Sequence, residues 1–105
     1  VAYKMNLIQQ HIKSISELCI KHKVKELYAF GSVLDENRFN ANSDVDLLIE
    51  FDNVPFDNYA DNYSEFEESL VKLFGHKVDL ISPKFLRNRI FIKRLNETKQ
   101  KIFGS

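Results

Sequence analysis

The chain of 105 residues has one cysteine, Cys19, and no tryptophan. A single thiol leaves no internal disulfide to form and points to a reducing, cytoplasmic setting. No apolar run approaches the roughly 20 residues that span a bilayer, so no membrane association is expected. The N-terminal stretch carries no signal-peptide h-region, so no secretory leader is expected either. An excess of one charge is also missing, since 15 Lys and Arg balance 15 Asp and Glu for a formal net charge of 0. That balance argues against direct nucleic-acid binding driven by bulk positive charge. There is no internal repeat, low-complexity tract or linker, so residues 1–105 read as a single domain with a modest core.

What is present is segregated. From Asp35 to Glu68 the charges are acidic except for Arg38, and from Lys84 to Lys101 they are basic except for Glu97. Both halves are consistent with solvated faces, and the basic half is equally suited to meeting phosphates or an acidic partner. Apolar residues Leu7, Ile8, Ile12, Ile15, Leu18 and Cys19 recur at helical spacing and predict one amphipathic helix from Met5 to His22. Within it Cys19 reads as a buried structural thiol and His11 as a packed or edge residue. Val24 to Phe30 predicts a strand, Asp35 to Asn42 a loop, and Ser43 to Phe51 a second strand. Asp52 to Asp61 reads as an irregular connection whose aromatics pack over the sheet. A helix is predicted from Asn62, with Asn62 and Glu65 as its cap and Gly75 as its stop. His76 reads as exposed in the following turn. Lys77 to Ile81 predicts a third strand, and Ser82-Pro83 opens a helical segment that continues, with a bend near Phe91, to Ile102. Together these give an α+β domain with a small mixed sheet and helices packed mainly on one face.

The chemistry concentrates around two stretches. Side chains two apart on a strand share a face, so Asp44 and Asp46 project together while Val45, Leu47, Ile49 and Phe51 form the opposite face. Adjacent carboxylates raise each other's pKa unless a cation lies between them. With only oxygen donors and no Cys or His beside them, that cation would be magnesium or manganese rather than zinc. Taken alone, the pair is also satisfied by a loop residue and a solvated strand position. Upstream, Gly31-Ser32 closes the first strand, where glycine lets backbone approach a ligand and the following N–H groups can cradle phosphate. Asp79 sits alone among the apolar residues of the third strand, either facing the same metals or exposed on an edge.

Gly31-Ser32, the run Ser43-Asp44-Val45-Asp46-Leu47-Leu48-Ile49-Glu50, and Val78-Asp79-Leu80 resemble the three signatures of the minimal nucleotidyltransferase family within the DNA polymerase β superfamily. The resemblance implies a polymerase β-like nucleotidyltransferase core. It implies that Asp44, Asp46 and Asp79 ligate metal and carry catalysis, and that Gly31, Ser32 and Ser43 hold nucleotide. Its cofactor would be Mg2+, as two ions with the nucleotide bound, with Mn2+ as a substitute in the two-metal scheme. The implied reaction moves NMP, AMP from ATP in the first instance, to a hydroxyl of a partner protein. That partner would be a HEPN-domain ribonuclease, making this chain the antitoxin of a toxin–antitoxin pair. The alternative is a binding module that neutralises such a ribonuclease by contact alone. Two departures stand out: Asp35 occupies the position three after the Ser where many relatives have Arg, and eleven residues, Val33 to Ser43, separate Ser32 from the first acid where ten are usual. Base preference, acceptor residue and homo-oligomeric state are left open.

Overall fold

The computed structural model describes residues 6–35 and 37–104. Strand β1 (Val24–Phe30) pairs antiparallel with β2 (Val45–Phe51) on one side and with β4 (Gln100–Phe103) on the other. Strand β3 (Val78–Ile81) pairs parallel with β2, giving the order β3-β2-β1-β4. A parallel pair needs a crossover rather than a tight turn. Helix α3 (Phe56–Phe74) supplies it between β2 and β3.

Alternation along the strands divides the core into two layers. Leu27, Ala29, Leu47 and Ile49 face helix α2 (Ile12–Lys21) and α3, burying Ile15, Cys19, Phe66 and Leu70 against the sheet. Phe30 and Leu48 point to the other face, where Leu95 and Phe91 of helix α4 (Arg89–Thr98) cover them. The two helices with the larger buried contribution therefore share one face, as expected. Helix α3 ends at Gly75, whose φ of 69° is the left-handed conformation that glycine adopts at least cost.

Several boundaries differ from the sequence reading. The first helix is broken: α1 (Leu7–Gln10) is opened by a capping box between Asn6 and Gln9 and ends at His11, which makes a tight turn before α2. The turn carries the His11 ring to the edge of Phe74 at 5.9 Å. Met5 lies outside the described residues. Helix α3 begins at Phe56, six residues before the expected start, because Tyr59, Tyr63 and Phe66 form one stripe whose rings lie 5.5, 6.0 and 6.2 Å from Phe51. Asn62 is therefore no cap, and its amide donates across to the His22 carbonyl at 2.7 Å. Phe56 does not pack over the sheet, being 93% exposed.

The C-terminal segment is a 3-10 turn (Pro83–Phe85), then α4 capped by the Asn88 side chain, and then a fourth strand in place of continued helix. After Lys99 turns extended, the backbone of β4 bonds to the otherwise open edge of β1, and Ile102 and Phe103 pack against the main core. Tertiary pairing here outweighs local helical spacing.

Candidate active site

The second strand starts at Val45, so Asp44 is the last loop residue rather than part of the strand. Asp46 stands on the face opposite Val45 and Leu47, which are fully buried. Across the parallel ladder Asp46 is paired in register with Asp79, and side chains at paired positions share a face. Asp44 and Asp46 are half-buried and Asp79 is exposed. The three are electrostatically linked at Asp46. Its carboxyl is raised above the ordinary range first by burial, then by the charge of Asp79, then by that of Asp44. All three influences oppose its ionised form, which a cation would favour.

Gly31 is the other half of the arrangement. Phe30 pairs with Asp46 across β1 and β2, which sets Gly31 immediately beyond the carboxylate, at the opening of a 3-10 turn (Gly31–Leu34). Its φ is 75°, and a Cβ built there would lie 2.7 Å from Asp46 Oδ2. The backbone conformation favours glycine, and any larger residue would require the Asp46 carboxylate to move. Ser32 follows it within the turn and is half-buried.

Ser43 is occupied in closing the loop. Its hydroxyl accepts from the Asn40 amide at 3.0 Å and its own amide donates to the Asn40 carbonyl at 3.0 Å. Asp35 shapes the other end of that loop. Its carboxylate accepts from the Asn37 amide at 3.0 Å, and its carbonyl accepts from the amides of Arg38 and Phe39, both at 3.0 Å. Arg38 is exposed.

His76 was expected in solvent and is instead half-buried. Its Nδ1 lies 2.9 Å from the Ser43 carbonyl oxygen, and its ring lies 4.7 Å from that of Phe39. The missed signal is a partner distant in sequence, which spacing does not reveal. In the basic half, Lys84 lies over the rings of Tyr59 and Phe85 at 5.6 and 5.3 Å. Arg87 donates to the Lys84 carbonyl at 3.3 Å, and Arg89 is exposed at the start of α4.

The donors that could hold a divalent cation are the carboxylate oxygens of Asp44, Asp46 and Asp79, a hard oxygen set suited to magnesium or manganese. Among the described residues no three His, Cys, Asp or Glu are already gathered into a metal cage.

Comparison with known proteins shows the family and the fold. A family model described as nucleotidyltransferase domain matches residues 11–103. The chain therefore belongs to the nucleotidyltransferase domain family. More particularly, its fold is that of the minimal nucleotidyltransferases: a solved structure named "Structure of putative minimal nucleotidyltransferase" superposes with a TM-score of 0.72, at 23% identity over 94% of this chain and 98% of the other. A Methanocaldococcus jannaschii relative, named "Putative protein adenylyltransferase MJ1379", is 33% identical over 91 residues, 87% of this chain and 86% of the relative. A chain in the solved structure of a tri-AMPylated Shewanella oneidensis HEPN toxin in complex with MNT antitoxin shares the fold, with a TM-score of 0.58 and 17% identity, covering 93% of this chain and 73% of that one. The polymerase β-like core expected from the sequence is the fold observed.

Proposed function

We propose that this nucleotidyltransferase domain transfers AMP from ATP to a hydroxyl of a protein partner. The observation that carries the proposal is the in-register alignment of Asp46 with Asp79 beside a glycine whose replacement would displace the Asp46 carboxylate.

In this reading Asp44, Asp46 and Asp79 hold magnesium ions, and Gly31 and Ser32 border the triphosphate. Bound magnesium would supply charge neutralisation of the leaving pyrophosphate and a lowered pKa of the attacking hydroxyl. The acceptor oxygen bonds to the α-phosphorus as the bond from that phosphorus to the pyrophosphate oxygen breaks. Asp79, on the edge strand and the most exposed of the three, takes the hydroxyl proton. Asp46, between its two neighbours, fixes the line along which the reacting groups meet. No Ser, Cys or His nucleophile is required. Ser43 serves the site by closing the loop that delivers Asp44.

The acceptor we favour is a HEPN-domain protein, in keeping with the AMPylated HEPN toxin of the structural neighbour and with the adenylyltransferase name of the archaeal relative. A second reading, neutralisation of such a partner by contact alone, is favoured by Asp35, which stands where many relatives have Arg. Incubation with α-labelled ATP, magnesium and the protein encoded by the adjacent reading frame separates the two. Label that reaches the partner with the native protein and not with Asp46→Asn supports transfer. Neutralisation by Asp46→Asn equal to that of the native protein, with no label transferred by either, supports contact alone and would end the catalytic reading.

A further inference from the structure

The two backbone groups that flank Asp44 are both tied to one short stretch. The Ser43 carbonyl meets His76 Nδ1 at 2.9 Å, and the Val45 amide donates to the Lys77 carbonyl at 2.8 Å. A carbonyl oxygen only accepts, so His76 carries its proton on Nδ1 in this contact. On the preceding side Ser43 is already bound to Asn40 through its amide and hydroxyl. Asp44 is thus a loop residue with little backbone freedom, although it lies outside the ladder. The same stretch leads directly to Val78, the ladder partner of Val45, and to Asp79, the ladder partner of Asp46.

We propose that His76 is a positioning residue: its Nδ1–H bond to the Ser43 carbonyl aims the Asp44 carboxylate at the space shared with Asp46 and Asp79. The inference rests on the reading of these acids as a metal–nucleotide site. Without the bond, the Ser43–Asp44 peptide can rotate, and the carboxylate of Asp44 departs from the other two while β2 and β3 stay paired. The ring contact with Phe39 is a separate contribution, which steadies the loop without directing Asp44.

Two substitutions separate these contributions. His76→Phe keeps a ring against Phe39 and removes the donor, whereas His76→Asn keeps an amide donor near the position of Nδ1 and removes the ring. The measurement is Mn2+ binding in the presence of the non-hydrolysable analogue AMP-PNP, followed by electron paramagnetic resonance, beside thermal melts of the metal-free proteins. We expect His76→Phe to raise the half-saturating Mn2+ concentration about ten-fold with a melting temperature close to that of the native protein. His76→Asn should stay within about three-fold of native. Native-like Mn2+ binding by His76→Phe would overturn the proposal, as would losses in both variants that merely follow their melting temperatures. Asp46→Asn is the control for the underlying reading. If it binds Mn2+ and AMP-PNP as the native protein does, the acids are not the metal site and His76 has nothing to position. If it loses binding while His76→Phe does not, only the role of His76 falls.

Discussion

Gly31→Ala is the sharpest perturbation that the geometry offers, because its cost divides into two parts that can be measured apart. The backbone part comes from φ of 75°, where an L-residue pays about 1 kcal/mol or somewhat more relative to glycine. The contact part comes from Asp46. The added Cβ would lie 2.7 Å from Oδ2, about 0.7 Å inside the 3.4 Å limit of ordinary contact, while Asp46 Cγ and Cβ at 3.7 and 3.8 Å are tolerable. Rotating the carboxylate away from its present position adds about 1 kcal/mol of off-rotamer strain. The sum, about 2 kcal/mol, should lower the melting temperature of a domain of this size by roughly 10 °C. In urea titrations the cost of Gly31→Ala should fall by about 1 kcal/mol when measured in an Asp46→Ala background, since only the backbone part then remains. AMP transfer should fall about a hundred-fold, as a displacement near 1 Å of a positioning group does. A Gly31→Ala cost that is the same in both backgrounds would refute the close approach of Gly31 to Asp46. Undiminished transfer would refute its role in the site.

Two further outcomes follow from ionisable groups. Asp46 titrates above the ordinary carboxylate range in the folded chain, so the native state binds the proton more tightly than the unfolded state. Stability contributed by this group is therefore lost as pH rises from the ordinary carboxylate range through the raised value. With a chelator present, Asp46→Asn should be the more stable protein at neutral pH, and the gap should close on acidification; a gap that widens in acid contradicts the raised pKa. Burial pushes the Cys19 thiol up to about 12 and leaves it fully enclosed. Alkylation by iodoacetamide at pH 8 should be slow in the folded chain and rapid in denaturant, with equal rates in both states as the contrary result.

The three strands that carry the site could be recognised in sequence because a period of two, with branched and aromatic residues on one face, is a local property. The strand positions of Asp46 and Asp79 were legible for the same reason, and so was the turn at Gly31, whereas Asp44, expected on the second strand, lies in the loop before it. What was not legible depended on partners far along the chain. Tyr59 reads as part of a helix only when Phe51 is known to lie beneath it. Asn62 imitates a cap until the His22 carbonyl is placed beside it. Gln100 to Phe103 continues a helical spacing and becomes a strand only because β1 has an unfilled edge. His76 belongs to the same class, its partner being the Ser43 carbonyl on the far side of α3 in sequence.

The crossover through α3 also governs when the repulsive cluster comes into being. Asp44 and Asp46 arrive with the antiparallel β1–β2 pair, which a loop of modest length can close early. Asp79 joins them only through the parallel pairing of β3, on the far side of a nineteen-residue helix. The β1–β2 pair alone therefore carries two of the three acids, and the full electrostatic opposition at Asp46 exists only where β3 is paired.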